Sequence, residues 1–326
     1  MTHAARVSIG VLAAALLIPA VQPNAHAQGS YPTRAIRIVA PTSPPGGSDT
    51  AARVIAPALS ERLGQPVVVE NRAGAGTMLG HDYVAKSPPD GYTLVMAINT
   101  LAIIPVTLKN VPYDALRDFA PISEVLSQPA MMIAHPSLPA RTVKELIALA
   151  KAHPGEVLYA SGGNGSNPHM GMELFLYMTG TRMLHVPFRG GGAMAIGVMS
   201  GQGSVGVLSI LASIPHVRSG RVRALGVTGP KRSQIVPDVP AIAETVKDYE
   251  ALQWYGLMAP AGTPREIVAR LHKEILGLLR NPEVRARLTQ DGADVVGNSP
   301  EEFSAVLRVE TDKWAKVARA AGIQPE

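Results

Sequence analysis

The chain has no cysteine, and that one absence removes disulfides, thiolate metal sites and cysteine nucleophiles together. An oxidising compartment can form no disulfide in such a protein, and its stability has to come from buried apolar surface, for which about 300 residues are ample. Aromatic residues are scarce, 4% of the chain, and no basic cluster is interleaved with them as a nucleic-acid surface requires. Arg218, Arg221, Arg223, Lys231 and Arg232 therefore read as a solvated edge, and no nucleic-acid partner is expected. The formal net charge is only +5, a mild bias that suits small anions. Tandem repeats, low-complexity tracts and a single dividing polar linker are all missing.

The chemistry-bearing motifs are missing too. There is no G-x-S-x-G elbow and no phosphate loop with its lysine. Gly74 to Gly80 loosely resembles a dinucleotide fingerprint, but Asn71 to Ala73 separate it from the preceding strand, and the next strand ends at Asn99 rather than at an acid. His169 and Glu173 are spaced i, i+4, yet no third ligand accompanies them, so no metal is expected; His169 reads as a hydrogen-bonding group near a helix start. No nucleophile or acid–base pair with a positioned partner is present. The expectation is a protein without catalytic residues or cofactor, not an enzyme.

What is present begins with a leader. One positive charge at Arg6, the apolar run Val7 to Ile18 and the small-x-small site Ala25-His26-Ala27 make a secretory signal peptide cleaved after Ala27. At about a dozen residues the run falls short of the roughly 20 that span a bilayer. The working protein then starts near Gln28.

Beyond Ser30, short apolar runs alternate with helical periods: Ala35–Ala40, Pro66–Glu70, Tyr92–Ile98, Met131–Ala134, Val157–Ala160, Leu184–Pro187, Val205–Leu208, Arg223–Thr228 and Gly256–Ala259. This rhythm predicts an α/β fold with largely parallel sheets. Thr142 with Glu145, Thr263 with Glu266 and Ser299 with Glu302 fit capping boxes. The helices beginning near Pro264, Pro282 and Pro300 follow the last strand as a helical tail. A helix over Asp49–Leu63 contains Pro57, which must cost it a hydrogen bond. Two domains are expected, with the chain crossing between them near Ser127–Ala130 and Glu250–Trp254.

Glycine-rich turns recur at strand ends: Pro44 to Asp49, Asn71 to Gly76, Ser161 to Ser166 and Phe188 to Gly192. In open α/β sheets, ligands bind at the carboxyl ends of strands, and amides at helix starts attract anions. Four such loops, two in each half of the chain, point to one shared cleft.

These stretches resemble a known family. "RIVAPTSPPGGSDTAAR", "LSERLGQPVVVENRAGAG", "AKSPPDGYTL", "PYDALRDFAPIS", "YASGGNGSNPHMGMELF", "HVPFRGGGAMA" and "PAGTPREIVARL" are similar, in order and over nearly the whole chain, to the Bug-type substrate-binding proteins of tripartite tricarboxylate transporters. The resemblance implies a type II periplasmic binding-protein fold, with two α/β domains closing on a small carboxylate. It implies a signal peptide at 1–27, a first domain built from 28–129 and 253–326, and a second from 130–252. Ser43, Pro44, Gly47, Ser48, Asp49 and Thr100 would approach the ligand from the first domain. Ser161, Asn164, Gly165, His169, Arg189, Gly190 and Gly191 would approach it from the second. Ile196-Gly197 and Gly203-Ser204 stand where many relatives carry acids, which favours a plain carboxylate over an amino acid. Asp49 is expected to turn from the cleft and accept helix N–H bonds. The implied setting is a periplasmic monomer that passes its ligand to membrane transporter subunits. A sensor kinase as the partner, or an exported hydrolase, are the alternatives the residues leave open.

Overall fold

The structure, a computed structural model, describes Met1, residues 31–290 and residues 292–325. The leader beyond Met1 and its cleavage site lie outside the described residues. Strand β1 (Ile36–Ala40) is flanked by β2 (Val67–Asn71) and β3 (Thr93–Ile98), both parallel to it. Helix α1 (Gly47–Leu63) joins β1 to β2, and α2 (Met78–Ala85) joins β2 to β3. Next to β3 lies β10 (Gln253–Pro260), then β4 (Phe119–Gln128) and the short edge strand β11 (Asp294–Val295), each antiparallel to its neighbour.

A second, five-stranded sheet runs in the order β7 (Leu184–Pro187), β6 (Leu158–Ser161), β8 (Val205–Ser209), β5 (Ala130–Ala134), β9 (Arg223–Val227). Its helices are α4 (Val143–Ala152), α5 (Asn167–Thr179), α6 (Gly191–Met199) and α7 (Ile210–Arg218). The chain passes from β4 to β5 with only Pro129 between them and returns into β10 at Gln253.

The sheets are mixed, which corrects the expectation of largely parallel ones. Strands joined through a helix, β1 with β2 and β6 with β7, are parallel, as right-handed crossovers require. Strands β4, β5 and β10 carry the passage between sheets without such a crossover, and their neighbours oppose them. Strand β4 itself had no counterpart in the sequence reading. Its Pro121, Ser123 and Glu124 break the apolar run, and register shifts against β10 accommodate them.

The helix ends follow local chemistry. Ser299 and Glu302 form a reciprocal capping box that starts α10 (Pro300–Ala320). At α4, Thr142 Oγ1 accepts the Glu145 N–H, whereas Glu145 Oε2 takes the N–H of Arg141, one residue before the cap. The box at Thr263 does not form. Its hydroxyl donates to Pro260 O at 2.7 Å, and Pro264 is the N-cap of α8 (Arg265–Leu279). The tail also contains α9 (Pro282–Leu288), and β11 interrupts it.

Residues 32–326 form one compact unit, and a single buried cluster carries residues of both sheets and of α10, among them Val95, Met132, Phe175, Phe303 and Trp314. Helix α3 (Thr100–Thr107), strand β4 and helix α5 all pack against α10. None of the described helices is long and apolar enough to cross a membrane.

Candidate functional site

The carboxyl ends of β1, β2, β3 and β6 converge on a cavity of about 770 Å³. One wall comes from the six-stranded sheet: Pro41 to Ser43 after β1, Ala73 to Thr77 after β2, and Asn99 and Thr100 after β3, backed by Ile104, Thr107 and Leu108. Gly162 and Asn164 to Pro168, after β6, make the other wall, and Gln253 enters from the returning passage. Every one of these side chains is uncharged. The helices α3 and α5 both begin here, and their dipoles give the cavity a positive bias, although at α5 Pro168 has no N–H and Ser166 Oγ takes that of His169.

The first loop is fixed from behind. Asn71 Nδ2 donates to Thr42 O and to Asp49 Oδ1, each at 2.9 Å. Arg53 Nε donates to the same Asp49 oxygen at 2.8 Å, and Arg53 Nη2 to Asn71 Oδ1 at 3.0 Å. Thr42 and Ser48 share a hydroxyl bond of 2.7 Å. Asp49 thus lies outside the cavity lining, its carboxylate held by Asn71 and Arg53 rather than by helix N–H groups. Gly47 has no room for a side chain, because a Cβ there would strike the Tyr255 ring.

The second loop carries backbone strain. Ala75 and Thr77 have φ of 46° and 93°, a region that a β-branched residue rarely occupies and that tends to collect at functional sites. Thr77 is held there by its hydroxyl bond to Thr100, 2.6 Å long.

The third loop, Ser161 to Ser166, is anchored on two histidines. Gly165 donates its N–H to His169 Nδ1 at 3.1 Å, and Ser161 Oγ lies 2.6 Å from His185 Nε2. The rings of Tyr159, His169 and His185 lie nearly parallel, His185 at centroid separations of 4.7 Å from Tyr159 and 4.1 Å from His169, with Tyr159 and His169 6.3 Å apart. Burial lowers both histidines, His169 to about 3 with help from its neighbour and His185 to about 4. The Glu173 carboxyl is pushed up by burial, against a lowering from its hydrogen bond with the Tyr159 hydroxyl. At neutral pH these rings are therefore uncharged. Ser166 caps α5.

Of the residues singled out in the sequence, Ser43, Thr100, Asn164 and Gly165 stand on the cavity wall. Gly191 lines an adjoining cavity of about 310 Å³ that shares Asn167, Pro168 and Gln253 with the first. Gly190 is tied to the third loop through its N–H to Gly162 O at 3.1 Å. Ser48, Asp49, Ser161 and His169 are buried supports behind the walls. Pro44, Gly47 and Arg189 are exposed and line neither cavity.

Sequence reasoning missed Thr42, Asn71, Thr77, Asn99, Asn167 and Gln253. Asn99 and Gln253 fell at positions already marked as a strand end and a crossing, which was the available signal. Thr77 offered none, since only the folded backbone reveals its φ.

A family model described as the tripartite tricarboxylate transporter family receptor matches residues 51–323. The chain belongs to that family. Among relatives of this receptor, BugT of Bordetella pertussis (strain Tohama I) is 36% identical over 296 residues, covering 90% of this chain and 91% of BugT. Two solved structures are also similar. R. palustris Rpa4515 with adipate is 34% identical with a TM-score of 0.76, covering 91% of this chain and all of that one. MatC from Rhodopseudomonas palustris with bound malate is 30% identical with a TM-score of 0.72, covering 88% and 100%. The receptor thus has the α/β periplasmic binding-protein architecture, and its family is one of solute receptors rather than enzymes.

Proposed function

We propose that this receptor captures a small carboxylate in the cavity between its sheets and presents it to the membrane subunits of a tripartite tricarboxylate transporter. The observation that carries this reading is the convergence of the α3 and α5 N-termini on a cavity walled only by uncharged groups. An anion held there is stabilised by oriented N–H groups, hydroxyls and side-chain amides, with glycine letting it approach the backbone. The ligands named for Rpa4515 and MatC, adipate and malate, are of this chemical class. The leader is removed after Ala27, and the mature chain works in the periplasm as a monomer. Segments 28–129 with 253–326, and 130–252, act as the two halves that close on the ligand.

Thermal unfolding of the mature protein with mono-, di- and tricarboxylates, neutral sugars and amino acids tests the ligand class. A carboxylate at about a hundred times its dissociation constant adds roughly 2.7 kcal/mol of stability. Stabilisation by sugars and by no carboxylate would refute the reading.

A further inference from the structure

A second cavity, about 380 Å³, lies on the reverse side of the third loop. It shares Thr107, Asn164 and Gly165 with the ligand cavity, and its remaining walls are His169, Glu173, His185 and the C-terminal residues Ala321 to Gln324. The loop is therefore a partition, with the ligand cavity on one side and the histidine pair on the other. Each face of the partition depends on the same backbone. Gly165 sits at φ 69° and Gly163 at φ 118°, so the loop holds an unusual path, and side-chain bonds from behind fix it there.

We infer that His169 and His185 are positioning residues that hold the Gly162–Ser166 loop in its ligand-lining form, through the Gly165 N–H and the Ser161 hydroxyl, and do so only while uncharged. The inference rests on the carboxylate-capture reading for its consequence but not for its mechanism. His169 Nδ1 accepts the Gly165 N–H, so its ring proton is on Nε2, 3.9 Å from Glu173 Oε1. A second proton on the ring occupies Nδ1 and removes that acceptor. Ser161 Oγ accepts the Gly163 N–H at 3.1 Å and can give its own proton to Gly163 O at 3.2 Å or to His185 Nε2 at 2.6 Å, the shorter contact being the one to the neutral ring. Charging both rings puts two cations face to face at 4.1 Å in a largely buried stack.

Among the described residues lining this cavity Glu173 is the one acid, and burial raises its pKa and so limits its support for an imidazolium, while the bond from the Tyr159 hydroxyl works the other way. Tyr159 of β6 stacks on His185 at 4.7 Å and lies 6.3 Å from His169. Thr107 of α3 and the tail Ala321 to Gln324 bring no ionisable side chain to the cavity.

The sign follows from the direction of the shifts. An imidazole freed into water titrates near 6.5, well above its value in the stack, so acid favours the open loop. Between pH 7.5 and 5.5 the open form gains about tenfold for each histidine released, and up to about a hundredfold for both.

Amide hydrogen exchange of the ligand-free protein over that range, corrected for the intrinsic pH dependence, measures this directly. Opening at residues 162–166 should rise by about ten- to a hundredfold relative to the β8 amides. His169→Asn keeps an acceptor at the Nδ1 position and His185→Gln keeps a polar tip at the Nε2 position, and neither replacement takes up a proton. The double variant should show less than about a threefold rise, because the titrating groups are gone. A flat wild-type profile, or the same slope in His169→Asn and in the double variant, overturns the inference. No ligand enters this measurement, so a failure of carboxylate binding leaves its outcome readable. In a second arm, adipate affinity is compared at the two pH values in wild type and double variant. The ligand's own titration, and that of the buried His81 under the opposite wall, are common to both proteins and cancel in the ratio. Equal ratios in the two proteins count against the inference.

Discussion

The side-chain amide of Asn99 donates to Asn167 Oδ1 across 2.7 Å, joining the end of β3 in one sheet to the start of α5 beside the other. Asn99 is fully buried, its Nδ2 also reaches Leu252 O at 3.4 Å, and its Oδ1 has no partner among the described residues. The bond lies where the two walls of the cavity meet. Asn99→Leu leaves Asn167 Oδ1 without its donor, so urea unfolding should report a loss of about 1–3 kcal/mol. An unchanged midpoint would mean that water replaces the bond at no cost.

Gly47 and Gly192 should respond in opposite ways to alanine. A Cβ at Gly47 runs into the Tyr255 ring, whereas at Gly192 nothing lies within 4 Å. Gly47→Ala should destabilise by about 1–3 kcal/mol through overpacking. Gly192→Ala, in the first turn of α6, should stabilise by about 0.4–1 kcal/mol by reducing the conformational freedom of the unfolded chain. Calorimetric melting temperatures of the two variants, moving apart from wild type in opposite directions, check the pair.

Arg189 is the cation of the fourth glycine loop, yet it is exposed and makes no hydrogen bond or ion pair among the described residues. If backbone amides hold the anion, Arg189→Ala should change carboxylate affinity by less than about 1 kcal/mol, the scale of an exposed charge. Isothermal titration decides it, and abolished binding would mean that the guanidinium swings onto the ligand.

Glu124, 6% exposed on β4, is raised to about 7 by burial and by the charges of Glu310 and Glu250, against a lowering bond from Asn298. The folded protein therefore keeps a proton that the unfolded chain releases near 4.3. Stability contributed by this group is present below about pH 4.3 and is lost as pH rises to about 7, with no further change above. Glu124→Gln should equal wild type near pH 4 and exceed it by about 1–3 kcal/mol at pH 8. Denaturation curves at the two pH values give the difference, and a pH-independent offset would contradict the assignment.

The sequence made the helix-linked strands legible because each shows an apolar run bounded by glycine or proline, as at Ile36–Ala40 and Val205–Ser209. Strand β4 was not legible, since Glu124 and Ser123 are buried on the strength of hydrogen bonds to and from the remote Asn298. The site divided along the same line. Glycine loops announced where the cavity walls are, and Ser43, Thr100, Asn164 and Gly165 followed from them. Which loop residues face inward depends on contacts far apart in the chain. Asn71 braces the first loop from 22 positions away, and His185 reaches Ser161 from 24, so local pattern carried no trace of either.

The placement of α10 bears on how this receptor is handled in the laboratory. This last helix packs on α3, β4 and α5, and the residues just past it, Ala321 to Gln324, close the cavity behind the ligand loop. A purification tag or reporter protein fused at the C-terminus therefore pulls on the partition that faces the bound acid. Fusions for a ligand sensor belong instead on a surface turn such as Gly220, between α7 and β9, where a side chain would meet nothing within 4 Å.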